Sequence, residues 1–521
     1  MDLIISGGQV VDGTGAPPVR TDVLVRGGRI AGLLAPDAPR PPAEVLDATG
    51  LVVAPGFIDL HSHADFTLTG HPAADSAVYQ GVTTLLGGNC GSSPFPMARP
   101  SGSGSFLGTR FAWDWTDLAG FAGAVAADPP AINLATQVGL NALRTVVMGP
   151  ERRPATDEEL DRMRALVAEA AAQGAFGFST GLIYAPGSYA SAEEVTALAA
   201  TAAEHGLLYS THMRNEADQL IDAVTEALDT ARRSGVRLEI SHLKAMGPAN
   251  HGKVRRALEL IEEARADGVD VAADVYPYTA SSTRLTSRLP GWALDGGDGA
   301  LLRRLGEPET RARIAAELRA RFGRDVDPAG VVIAELPDGP YTEFIGRSLA
   351  EIGEARGVDP ADAAMDLLAE HQANVAIVNH AMAGADVATV LAHPLVSVAS
   401  DGWTLKPSGE GRPHPRSFGT FARVLGRYVR EDGLLTLPDA VRKMTSLPAS
   451  RMGLADRGEV RTGLVADLAV FDPARVTDES DFTDPWRLAT GVRHVLVNGV
   501  PVLRDGTTTG ARPGRVLPRT T

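Results

Sequence analysis

Cysteine is all but missing from this chain: one residue, Cys90, in 521. No internal disulfide can form, and a reducing cytoplasm is the expected compartment. The lone thiol is then either inert core or a working group. Positive charge is also short. Lysine and arginine total 49 against 64 aspartate and glutamate, a formal net charge of −15. That balance argues against nucleic acid and against an anionic membrane as partners, and leaves room for an anionic small molecule at a locally basic site. No apolar run reaches the roughly 18 residues of a membrane span. Residues 1–8 lack the basic and long apolar regions of a secretory leader, so none is expected.

What is present describes a soluble globular protein, with 44% hydrophobic and 22% charged residues. A chain of 521 residues exceeds one ordinary core, so a large barrel plus a smaller domain is the first expectation. Residues 1–54 hold short apolar runs broken by Gly, Pro and Asp, the pattern of a small antiparallel β unit. The segment 446–521 has the same texture, and both ends are expected to pair into one β-sandwich. The last ~10 residues, basic and rich in Thr and Pro, read as a frayed tail. A Gly/Ser tract at 101–105 reads as a flexible loop.

Between the ends the texture changes. Thr156 opens a capping box with Glu159, and the helical pattern stops at Gly174. Ser191 caps the next helix, which Gly206 ends. Apolar runs beginning near 176, 208, 238 and 270 lie about 30 residues apart, the length of a βαβ unit. This rhythm predicts a (β/α)8 barrel of the TIM type over 55–445. A doubly wound sheet is the alternative, and it lacks its Gly-rich dinucleotide turn. Residues 284–350 break the rhythm and read as an inserted lid.

The carboxyl ends of the predicted strands carry the chemistry. His61 and His63 follow the run Phe57-Ile58-Asp59-Leu60, and strand alternation points both the same way. Cys90, His212, His242 and Asp401 each follow a β-like run of their own. In a barrel all six of these side chains meet on one face, where catalysis is placed. Imidazoles and a thiolate suit Zn²⁺. A nearby carboxylate can take a proton from water polarised by the metal and return it to a leaving nitrogen.

These residues carry a resemblance. The layout is similar to the amidohydrolase superfamily, and finer strings resemble its N-acyl-D-amino-acid deacylase (D-aminoacylase) branch. They include Gly87-Gly88-Asn89-Cys90-Gly91, Thr211-His212-Met213-Arg214-Asn215-Glu216, Ser400-Asp401-Gly402 and His414-Pro415-Arg416, with 177–184, 276–283 and 441–449. The resemblance covers nearly the whole chain. It implies a zinc-dependent hydrolase that cleaves the amide of an N-acyl-D-amino acid. The resemblance also implies that Cys90 replaces the strand-four lysine of many other members, ligating zinc tightly with His212 and His242; that His61 and His63 would hold a second, weaker site or help shape the first; that Asp401 would be the general acid/base; and that Arg416, Tyr276 and Ser282 would clamp the substrate carboxylate. Lys244 is expected to share the face of His242, where it could meet an anion; Tyr184 is a candidate for the pocket lining, and Tyr278 is expected in the core. Two departures bear on specificity. Leu140 stands where relatives often carry His, and Ser92-Ser93 where a bulkier apolar residue is usual; Leu140 is expected to alter the pocket wall. His71, His205, His251, His371, His393 and His494 are assigned to the surface or to structural roles, while His380 is a further candidate for the mouth. Competing readings are a hydantoinase- or dihydroorotase-type cyclic-amide hydrolase, a deacetylase of a biosynthetic intermediate, and a non-catalytic scaffold.

Overall fold

The computed structural model describes residues 2–36, 38–99, 102–106 and 109–519, with 102–106 and 109–112 as backbone alone. Eight parallel strands form its centre: β1 (Phe57–Asp59), β2 (Val82–Gly87), β3 (Asn133–Gly139), β4 (Gly177–Gly181), β5 (Leu208–His212), β6 (Arg237–Ile240), β7 (Val271–Val275) and β8 (Val396–Val398). They neighbour one another in that order. The ring closes between β8 and β1, where Ser62 bridges Gly402 and the Asp401 amide donates to the His61 carbonyl at 2.7 Å. Strands β2, β3, β4, β5 and β7 are buried along their whole length, as parallel strands covered on both faces must be. The result is the expected (β/α)8 barrel.

The helices begin and end where local chemistry directs. Thr156 and Glu159 form the reciprocal capping box of helix Asp157–Ala172, and Ser191 accepts from Glu194 at the start of Ala192–Glu204. Gly235, at φ 71°, ends helix Leu220–Ser234 in the left-handed conformation that glycine adopts without a Cβ penalty.

Both chain ends build the sheets outside the barrel. Val52–Pro55 pairs antiparallel with Leu468–Phe471 at the centre of a seven-stranded sheet, Val53 opposite Val470. A four-stranded sheet from residues 3–47 packs with it over Ile5, Val23, Ile30, Leu468 and Leu496. The amino-terminal part is mixed and not purely antiparallel: Leu3–Ser6 runs parallel to Glu44–Asp47, and Gln9–Val10 parallel to Val52–Pro55.

The insertion is longer than the expected 284–350. The chain leaves the barrel after β7 and builds a three-stranded antiparallel sheet from Ala280–Arg284, Val331–Glu335 and Ala376–His380. Four helices between residues 297 and 370 pack on it around a core of their own that includes Leu301, Ile314, Leu318, Ile352 and Leu367.

Two other expectations are corrected. Gly102–Phe106 pairs antiparallel with Thr109–Trp113, so the Gly/Ser tract from Gly102 on is a paired strand where a loop was expected; Ser101 lies outside the described residues. The tail is docked up to residue 519. The Leu134 amide of β3 donates to the Arg515 carbonyl at 2.9 Å, and the Leu517 amide returns a bond to Leu134 at 2.8 Å. The tail thereby occupies the stretch of β3 that β4 leaves unpaired, because β4 pairs only from Gln137 onward. Leu517 is 4% exposed and packs with Ile58, Phe176 and Leu208. Leu517→Ala should destabilise the fold by about 2–4 kcal/mol, the cost of a buried leucine truncation. Calorimetry should show a lower melting temperature; an unchanged one would mean that the tail does not dock in solution.

Candidate metal centre

The loop after β2 places Cys90 by an unusual backbone path. Cys90 has φ 53°, flanked by Gly88 at 74° and Gly91 at 73°. A Cβ on Gly91 would lie 2.7 Å from the Gly181 amide nitrogen, so the loop passes hard against β4. Side chains inside the barrel hold it. The Asn89 amide donates to Leu86 O at 2.8 Å and accepts from Gln137 at 2.9 Å. Ser179 of β4 accepts from the Gly91 amide at 3.1 Å, and Asp65 from the Gly88 amide at 2.8 Å. His242 and Asp401 also have positive φ, 36° and 51°. Such conformations cost roughly 1–3 kcal/mol each in non-glycine residues and cluster at functional sites.

The three strained residues converge. The Cys90 sulfur lies 3.3 Å from Nε2 of His61 and 3.4 Å from Nε2 of His242. Asp401 Oδ1 lies 3.4 Å from Nε2 of His61 and 3.0 Å from Nε2 of His63. Ligand atoms of His61, Cys90, His242 and Asp401 all fall within 4.8 Å of one another, and all four residues are buried. His212, Glu216 and His242 form a second such group, so the two groups share His242. The structure therefore puts Cys90 with His61 and His242, while His212 stands across His242, their ring centroids 4.3 Å apart. Both ring nitrogens of His212 are buried; Nδ1 has no hydrogen-bond partner, and Nε2 is faced by Glu216 Oε2 at 3.4 Å. An imidazole with a nitrogen left free in this way, beside a thiol, two further imidazoles and carboxylates, is the donor set of a zinc site.

Electrostatics follow from burial. Exclusion of water pushes His61 and His242 down to about 3, so both rings stay neutral and able to ligate. Burial also drives the Cys90 thiol up, so the thiolate needs a cation beside it. Burial opposes ionisation of Asp401 too, but Arg416 and His61 outweigh it and hold this carboxyl well below its ordinary range. Sequence reasoning missed two carboxylates. Asp274 in β7 accepts from the His242 amide at 2.8 Å and faces Nδ1 of His61 at 3.3 Å; burial raises it to about 7. Glu216 touches both His242 and Lys244. Their signals were a polar residue in an apolar strand, and an acid four positions past a histidine.

Beside this cluster lies a cavity of about 440 Å³, lined in part by Tyr184, Tyr276, Ser282, Lys244 and Arg416, and on one side by Leu294 of the insertion. The Tyr276 hydroxyl is buried and without a partner. Arg416 already donates to Asp401 Oδ2 at 2.6 Å and to the Ser282 carbonyl at 3.3 Å, its guanidinium 4.9 Å above the Tyr276 ring. It is held there by His414, whose Nδ1 accepts from the Arg416 amide at 3.0 Å. Tyr184 bonds Thr283 at 3.1 Å and sets its ring against His212. Leu140 does not line the cavity: it is fully buried in the barrel–helix core, and its neighbour Asn141 with Ser92 lines the wall. His380 lies exposed on the insertion's sheet with its ring against Phe482, away from the cavity. Elsewhere His71 pairs with Asp75, His393 with Glu262 and His371 with the Pro340 carbonyl.

A family model described as "Amidohydrolase family" matches residues 44–503. The chain is 40% identical to a D-aminoacylase of Alcaligenes xylosoxydans xylosoxydans, over 100% of this chain and 98% of the relative. It is 40% identical to an N-acyl-D-glutamate deacylase of the same organism, over 100% and 97%. An N-acyl-D-glutamate deacylase of Bordetella bronchiseptica, solved with zinc and a phosphonate inhibitor that mimics the tetrahedral intermediate of its reaction, matches with TM-score 0.83 at 37% identity over 99% of both chains. Alike in sequence and fold over its full length, the chain belongs to the amidohydrolase family and, within it, to the branch of D-aminoacylases and N-acyl-D-amino-acid deacylases.

Proposed function

We propose that this protein is a zinc-dependent amidase that removes the acyl group from N-acyl-D-amino acids. The observation that carries the reading is the buried meeting of His61, Cys90, His242 and Asp401 within 4.8 Å, brought from β1, β2, β6 and β8. Cys90, His242 and His212 would hold one zinc tightly, with His61 and His63 completing it or forming a weaker second site. Zinc bound there supplies a Lewis acid for the amide carbonyl and acidifies water.

The chain's own groups do the rest. Asp401, kept ionised by Arg416, takes a proton from the attacking water and returns it to the departing nitrogen. The free Tyr276 hydroxyl, Ser282 and the Arg416 guanidinium receive the substrate carboxylate. Lys244 and Tyr184 line the same cavity. The D preference comes from the relatives: a D-aminoacylase and an N-acyl-D-glutamate deacylase match the chain end to end. A cyclic-amide hydrolase is the weaker reading, because β4, Gly177–Gly181, ends without the lysine such enzymes use. Among the described residues no helix is long and apolar enough to cross a membrane. The net charge of −15 and the lone cysteine support a cytoplasmic enzyme with no nucleic-acid or membrane partner.

The test is a panel of N-acetylated D- and L-amino acids together with zinc quantified per chain. Hydrolysis of D but not L substrates, with at least one zinc bound, is expected. Turnover of hydantoins alone, or protein without zinc, would overturn the reading.

A further inference from the structure

We infer that Glu216 is a positioning residue for the metal centre: it fixes the tautomer of His242 that offers Nε2 to zinc, and in doing so turns Lys244 toward the substrate. This role rests on the zinc reading above.

Glu216 follows β5, four residues past His212, and is 3% exposed. Its Oε1 lies 3.0 Å from Nδ1 of His242 and 2.5 Å from Nζ of Lys244. Its Oε2 lies 3.4 Å from Nε2 of His212. The opposite nitrogen of His242, Nε2, is the one that faces the Cys90 sulfur, at 3.4 Å.

A neutral imidazole carries one hydrogen. If Nε2 is to ligate, the hydrogen sits on Nδ1 and needs an acceptor. Lys244 Nζ stands 2.7 Å from Nδ1 but offers only hydrogens. Glu216 Oε1 is the acceptor within reach. The consequence passes to Lys244, which has three hydrogens. One goes to Glu216 and one to the His242 carbonyl at 2.9 Å. Once Nδ1 is protonated, the third has no acceptor at the ring. It turns to the cavity that Lys244 helps to line, where a substrate carboxylate fits it.

A second imidazole repeats the arrangement. His61 also aims Nε2 at Cys90, at 3.3 Å, and its Nδ1 faces a buried carboxylate, Asp274, at 3.3 Å. Each imidazole that faces the thiol is thus backed on Nδ1 by an acid. Outer partners of this kind set ring orientation and raise metal affinity.

Replacing Glu216 alone would leave Lys244 buried without its counter-charge, which endangers the fold. The decisive comparison is therefore Lys244→Met against Glu216→Met/Lys244→Met, with Glu216→Gln/Lys244→Met as the variant that keeps an acceptor without an unpaired ammonium. Zinc affinity of the purified full-length proteins is measured by competition with a chelating dye, and KM and kcat with an N-acetyl-D-amino acid. Lys244→Met should bind zinc within a few-fold of wild type while KM rises. Glu216→Met/Lys244→Met should bind zinc about 10–100-fold more weakly than Lys244→Met, and Glu216→Gln/Lys244→Met should retain most of the affinity. Zinc bound equally well by Glu216→Met/Lys244→Met and by Lys244→Met would overturn the role of Glu216 and leave the amidase reading standing. Wild-type protein that binds no zinc would overturn both.

Discussion

Asp401→Asn should lower kcat by about 10³-fold, within the 10²–10⁴ range of general acid–base catalysis, while the protein keeps its zinc. Asp401 sits after β8 in a left-handed conformation, at φ 51°, and its backbone amide is tied to His61 across the closing seam of the barrel. One carboxylate oxygen faces the two histidines of β1, and the other accepts from Arg416. Asparagine preserves this shape but cannot accept a proton at neutral pH. The sign of the pH dependence also follows. A carboxyl held well below its ordinary range remains a base as pH falls through that range, so activity lost on mild acidification does not report Asp401 in the wild type. Steady-state kinetics with metal analysis decide the matter. Full activity in Asp401→Asn would remove the acid/base role; zinc lost in parallel with activity would recast Asp401 as a ligand.

The sequence made the barrel legible because its signals are local and repeated. Thr156 and Ser191 mark helix starts by side-chain capping, and Gly206, at φ 63°, marks an end by its lack of a Cβ; both signals act within a few residues, and the βαβ spacing follows from chain geometry. Pairings made over long distances were not legible. The tail carries Thr, Pro and Arg, a composition that reads as unstructured, yet it docks because β3 extends beyond β4 and leaves backbone groups at Leu134 open. The pairing of Gly102–Phe106 with Thr109–Trp113 was hidden in the same way, since glycine and serine reveal nothing of a partner strand.

The candidate site divides along the same line. Cys90, His61, His242 and Asp401 could be read from their positions after strands, because the barrel gathers strand ends whatever lies between them. The partnerships among them could not. That Arg416 pairs with Asp401, that Asp274 stands behind His61 and that Lys244 is engaged by Glu216 depend on side-chain directions set by packing. Leu140 shows the limit most clearly. A one-position difference decides that it is fully buried while Asn141 faces the cavity, and a helix start turns successive side chains to different faces.

Cys90→Ala should weaken zinc binding beyond the 10–100-fold typical of outer-shell partners, and activity should fall with the metal. The sulfur is the atom shared by the two imidazoles, 3.3 Å from one and 3.4 Å from the other, so its removal takes away the centre of the cluster. A structural role for the thiol would predict something different, and glycine separates the two. At φ 53° any residue with a Cβ is strained, by roughly 1–2 kcal/mol in the left-handed region. Cys90→Gly relieves that strain. If the thiol only filled space, Cys90→Gly would be near neutral in melting temperature and would keep its zinc. If the thiol ligates, the metal-free form of Cys90→Gly should melt no lower than metal-free wild type, yet fail to gain stability when zinc is added, because stabilisation by a ligand requires that it bind the folded state. Metal content and melting curves with and without zinc read both quantities on the same samples. Full zinc occupancy in either variant would return Cys90 to the core. The strained backbone at Cys90 makes that outcome physically expensive to explain, since a departure from favourable geometry would then carry a thiol to the edge of the ion's site for no ligation.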